Sequence, residues 1–218
     1  VLVEGTVPLV VAAPSDRLGA AAQLLRGVLA SIRPDVDADE LTEPLNTTRA
    51  RRVVRGTRAG GIIAAGTLEE VYASLGSGAL PLSEDELTFL GCVLVLGPNT
   101  MGDVGEGRST RGRLRVIAAH YVRPLARDAH GHSQRLGPAV LATWDRDGSR
   151  YEHFAWGVLP EIAARLGQRA GDLDRDLHHR RDDLAGLAMA GVTSLAQVRQ
   201  LIEGYRAGYG AGHGSEGH

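Results

Sequence analysis

The chain has 218 residues, 43% of them hydrophobic and 23% charged, enough for one substantial core with an appendage. Its 24 basic residues, all arginine, face 26 acids, and the net charge of −2 excludes a general field for nucleic acid or an anionic membrane surface. The single cysteine, Cys92, excludes an internal disulfide, and no apolar run approaches the ~18 residues of a membrane span, so a cytoplasmic protein is expected.

The sequence opens directly in a strand, Val1–Glu4, which places any preceding domain outside it. Val7–Ala12 follows as an apolar run without alternation, the pattern of a strand buried on both faces of a parallel sheet. Pro14-Ser15-Asp16 breaks it, and Ser15 or Asp16 is expected to cap the next helix. That helix carries Leu18, Ala22, Leu25, Leu29 and Ile32 at spacings of three and four. A buried strand turning into a helix is where phosphates bind, because the helix start presents free N–H groups and partial positive charge. The loop here, Ala13–Ala20, lacks the lysine and flanking glycines of a phosphate loop, and Asp16 sets a negative charge where the anion belongs. Two readings follow: an ordinary strand–helix unit, or a weak, remodelled nucleotide site formed by Ser15, Asp16, Arg17 and Gly19.

Pro34–Asn46 reads as an acidic connection. Thr47–Arg58 packs Arg49, Arg51, Arg52, Arg55 and Arg58 around Val53 and Val54, a short helix whose arginine face is either solvated and acid-paired or an interface. Gly60-Gly61 leads into a strand at Ile62–Ala65, Leu68–Leu75 reads as a helix, and Ser83 with Glu86 makes a capping box for a helix through Leu90. Cys92–Leu96 is a third buried strand, followed by a glycine-rich loop, Gly97–Gly112. From Arg113 the pattern turns to strands over 114–124, 138–144 and 150–157, with Asp145–Gly148 closing a hairpin. Helices follow at Val158–Leu166 and from Leu173 to a stop at Gly191, and Ser194 with Gln197 opens the last one, through Tyr205. Leu177, Leu184 and Leu187 are expected to meet Leu195, Val198, Leu201 and Ile202 in an antiparallel helix seam. Three segments result: a core over 1–157, a helical segment over 158–206, and a disordered glycine-rich tail over 207–218.

His120, His130, His132 and His153 share the strand-rich region, but no cysteine pair or close acids support a metal site, so surface or hydrogen-bonded histidines are the plainer reading. No G-x-S-x-G occurs, and Cys92 has no base beside it.

In order and spacing, these pieces resemble the motor ATPases of type II secretion, type IV pili and archaella, nearest the archaeal-type branch. Pro81–Leu96 is similar to that family's helix and strand after its histidine box, Arg113–Val122 to its R-x-V-x-x-I strand, and Ala139–Phe154 to its W-D…D-x-F hairpin. Asp174–Tyr205, with Arg180-Arg181, Leu184, Gly191 and Tyr205, is similar to its closing helices. The resemblance implies a RecA-like P-loop NTPase-type α/β sheet with an antiparallel extension and a C-terminal helical segment. It also implies oligomers or secretion and pilus machinery as protein partners, without nucleic acid or membrane insertion. The departures fall on the chemistry: the lysine is missing, no buried strand ends in a magnesium acid, and Ala65-Gly66-Thr67-Leu68-Glu69 stands at the histidine box without a histidine. What this implies first is a non-hydrolysing structural or regulatory subunit without cofactor, acting by contact through the arginine segment. The alternative is an active ATPase, with ATP and magnesium at an atypical loop; a metal enzyme on the histidine-bearing strands is more distant.

Overall fold

The computed structural model describes residues 7–32, 37–78, 80–98, 114–192 and 194–212. The expected strand at Val1–Glu4, most of the Gly97–Gly112 loop and the last six residues of the tail lie outside them. The chain divides into two compact units, one of Val1–Arg26 with Asp37–Val158 and one of Gly27–Val36 with Leu159–His218.

The first unit is mixed α/β. Its elements are β1 (Leu9–Ala13), the start of α1 (Leu18–Ile32), α2 (Ala38–Thr42), α3 (Thr47–Val54), β2 (Gly60–Ala64), α4 (Leu68–Leu75), α5 (Glu84–Leu87) and β3 (Cys92–Pro98). After these come β4 (Leu114–Tyr121), the two-residue strands β5 (Ala126–Arg127) and β6 (Ser133–Gln134), β7 (Ala139–Asp145) and β8 (Arg150–His153). Six strands form one sheet in the order β2-β1-β3-β4-β7-β8, and β5 pairs only with β6. β1 runs parallel to both β2 and β3, whereas β4, β7 and β8 extend the sheet antiparallel.

The unbroken apolar run of β1 is explained by burial on both faces. Val10 and Ala12 join Val93 and Val95 of β3, Val53 of α3 and Val71 of α4 in one core cluster. Leu9, Val11 and Ala13 point the other way and are buried too. Gly60 opens β2 at φ +152°, where a side chain would run into the Leu9 carbonyl, so the close β1–β2 approach requires glycine.

Three local expectations are corrected. Neither Ser15 nor Asp16 caps α1: the chain first makes a 3₁₀ turn over Ser15–Arg17 behind Pro14, without a side-chain cap. The Pro34–Asn46 connection contains α2, because Asp37 accepts the N–H groups of Asp39 (2.9 Å) and Glu40 (3.3 Å). It also covers the outer edge of β2, where Leu45 N–H donates to the Ile62 carbonyl at 2.6 Å. The Ser83–Glu86 capping box forms, but α5 stops at Leu87 because Thr88, Phe89 and Leu90 donate to carbonyls three residues back.

The second unit holds α6 (Leu159–Arg165), α7 (Ala170–Met189) and α8 (Leu195–Gly212). α6 packs on the first part of α7, where Leu173 is 1% exposed and buried Asp176 meets Arg180 at 2.9 Å. Gly191 turns the chain at φ +67°, as expected of a helix stop. The leucine seam is not formed as expected. Leu184 is 53% exposed and Leu177 is 40% exposed, because α6 rather than α8 takes the buried end of α7. α8 also continues past Tyr205 to Gly212, since its glycines there stay helical and no proline intervenes.

Candidate functional site

Where β1 and β2 end, two helix starts lie side by side. The chain leaves β1 for β2 on one side and later crosses to β3 on the other, so the carboxyl end of β1 is a topological switch point. Ser15, Asp16, Arg17 and Gly19 follow that end, and Ala65 after β2 donates its N–H to the Ala13 carbonyl at 2.9 Å. These four residues therefore stand at the end of the sheet where ligands of open α/β folds bind.

Their chemistry is turned inward. The Asp16 carboxylate, 73% exposed, meets Arg17 Nε at 3.2 Å, so the nearest cation is engaged by the neighbouring acid. At the start of α4, the Glu70 carboxylate accepts the Gly66 N–H at 2.7 Å and Thr67 Oγ1 accepts the Glu70 N–H at 3.1 Å. These backbone donors are the kind a phosphate uses at a helix start, and side chains of the same turn already satisfy them. Sequence reasoning missed Glu70. Its signal was available: Thr67-x-x-Glu70 has the spacing of the box noticed at Ser83 and Glu86.

The arginine segment divides into tied and free members. Asn46 caps α3 by accepting the Arg49 N–H at 2.9 Å, and Ala50 and Val53 face the core. Arg49 meets Glu43 at 3.4 Å, and Arg58, its side chain 14% exposed, lies between Glu40 (3.1 Å) and Glu43 (3.0 Å). Arg51 donates to the Pro81 carbonyl at 2.7 Å and reaches Glu86 at 3.4 Å. Glu86 is held below the usual carboxylate range, chiefly by the Ser83 N–H and further by Arg51. Arg52 and Arg55 are exposed, and among the described residues neither guanidinium makes an ion pair.

The histidines are spread out. Asp128 accepts the N–H groups of His130 (2.9 Å) and His132 (2.8 Å), which shapes the β5–β6 turn and lowers the Asp128 pKa. His120 is half-buried in β4, and burial lowers its pKa although the Glu69 charge opposes the shift. Among the described residues no three His, Cys, Asp or Glu side chains gather to hold a metal. Burial pushes the Cys92 thiol up to about 12. A cleft of about 510 Å³, lined by Tyr72, Leu82, Leu87, Val122 and Leu136, opens at the opposite end of the sheet from the two helix starts, beside the beginning of β3. Arg135 spans its rim to Glu84 and Asp85.

No protein-family model matches this chain, and no curated protein matches it. No described helix is long and apolar enough to cross a membrane.

Proposed function

We propose that this chain is a non-hydrolysing structural or regulatory subunit whose fold is related to the secretion and pilus motor ATPases, and that it works by protein contact in the cytoplasm. The observation that carries this lies at the two helix starts, one with a backbone donor already taken by its own glutamate and the other fronted by an acid paired to the nearest cation. Glu70 holds the Gly66 N–H, Asp16 holds Arg17, and the chain has no lysine to offset the charge of a β- or γ-phosphate. The parallel β2-β1-β3 order with an antiparallel extension is compatible with a RecA-like sheet. Arg52 and Arg55 are the cations offered to an acidic partner, since Arg49, Arg51 and Arg58 serve the fold. One observation favours an active ATPase with an atypical loop: Ser15–Gly19 stands at the switch point.

Hydrogen exchange with and without ATP and magnesium separates the two. Unchanged exchange over 14–20 and 65–70 is expected; protection of both segments by ATP supports the ATPase instead.

A further inference from the structure

The two edges of the sheet differ. The β2 edge is covered by Glu43–Leu45, which bond Ile62 on both sides, whereas β8 ends the sheet with all four of its residues exposed. We propose that two copies of this chain pair edge to edge through β8, antiparallel, about a twofold axis at Tyr151.

The backbone fixes which groups are on offer. Phe154 N–H donates to the Leu141 carbonyl at 2.8 Å, and Glu152 and Arg150 stand opposite Thr143 and Asp145 in the same ladder. Bonding groups alternate along an antiparallel strand, so Arg150, Glu152 and Phe154 turn theirs toward β7. Tyr151 and His153 turn theirs outward.

Three twofold registers match outward groups to outward groups, and charge chooses between them. Centring on Glu152 sets one carboxylate against the other, and centring on His153 places Glu152 opposite Phe154. Centring on Tyr151 places Arg150 of each copy opposite Glu152 of the other, in the close, non-hydrogen-bonded positions where opposite charges stabilise a pair. Glu152 is exposed and makes no ion pair among the described residues. Among the described residues the one acid Arg150 reaches is Asp145, at 3.8 Å, with the Arg150 side chain 71% exposed. In this register the two Tyr151 residues exchange both backbone hydrogen bonds.

A ladder of three residues is short, and its central residue is already ordered by aromatic packing within each copy. Tyr151 is 40% exposed and lies edge-on to Trp144 at 4.9 Å between ring centroids. Its hydroxyl donates to the Val116 carbonyl at 3.0 Å, and Arg115 lies over Trp144 at 3.7 Å, so the rings are already held in place. Each ring lies back over its own sheet toward β4, so pairing at the edge leaves the Tyr151 side chain and its hydrogen bond in place. This edge lies across the sheet from β2 and α3, so the pairing depends neither on Arg52 and Arg55 nor on the helix starts.

Sedimentation velocity of the full chain over a concentration series tests it, with circular dichroism as the folding control. The parent is expected to show a monomer–dimer equilibrium. Arg150→Glu and Glu152→Arg should each weaken it roughly tenfold or more, because each places like charges opposite one another twice. An equimolar mixture of the two variants should dimerise again, since the two acidic side chains of one variant then face the two basic side chains of the other across the axis. A parent that stays monomeric at its highest soluble concentration overturns the proposal, as it would if β8 receives a strand from another protein. So do single variants that dimerise like the parent, or a mixture that fails to recover.

Discussion

The parallel and antiparallel halves of the sheet are built on different terms. β1 is buried at every position and β2 at every position but its last, whereas β7 is half-buried throughout apart from an exposed Val140 and β8 is exposed from end to end. The parallel strands are short continuous apolar runs of Val, Ile, Leu and Ala. The antiparallel strands intersperse Arg, His, Thr and Glu with aromatics. The parallel half therefore carries the stability, and the antiparallel half keeps surface for contact.

The comparison is sharpened first at the core beside the parallel strands. Leu90 is fully buried in the main cluster, and Leu90→Ala is expected to cost about 2–5 kcal/mol in urea unfolding. A loss under ~1 kcal/mol would place the stability elsewhere.

Cys92, the first residue of β3, reports on the same half without mutation. A free thiol titrates near ~8.5 and reacts from its thiolate, but burial holds Cys92 protonated up to about 12. Labelling with a thiol reagent at mildly alkaline pH should therefore await global unfolding. Because the folded value is raised, the thiol's contribution to stability is complete below the unfolded pKa and is lost as pH rises from there through the folded one. Rapid labelling of the folded chain would show that β3 opens locally.

Smaller effects separate the tied arginines from the free ones. Arg51→Ala loses the Pro81 carbonyl and Glu86, and should cost about 1 kcal/mol. Replacing Arg52 and Arg55 together should change stability by less than ~0.5 kcal/mol while weakening a salt-sensitive association seen by light scattering. Equal destabilisation by both changes would erase the distinction.

The smallest expected effect repeats the contrast within α7. Leu173 is buried, and Leu184 is exposed, so Leu184→Ala should cost under ~0.5 kcal/mol by thermal unfolding. A cost of about 2–5 kcal/mol would restore the leucine seam with α8.

Much of the fold is legible because it rests on local rules. The apolar runs of β1 and β3, the Leu68–Leu75 helix and the Ser83–Glu86 box are read directly from periodicity and capping chemistry. What escapes depends on partners distant in sequence. Nothing beside Leu184 tells whether α6 or α8 takes the apolar side of α7, and nothing beside Arg51 announces the Pro81 carbonyl. The candidate site is legible in its location, through the strand–turn–helix after β1. Its self-satisfaction is not, since the Glu70 carboxylate passes the cap position to reach Gly66.

Titration calorimetry of the full chain with ATP, with and without magnesium, tests most directly whether this protein works without nucleotide. Affinity in the millimolar range or weaker is expected, roughly 4 kcal/mol or less of binding free energy, with no dependence on magnesium. Micromolar, magnesium-dependent binding would contradict the account, because a phosphate would then have displaced Glu70 from Gly66 or Asp16 from Arg17.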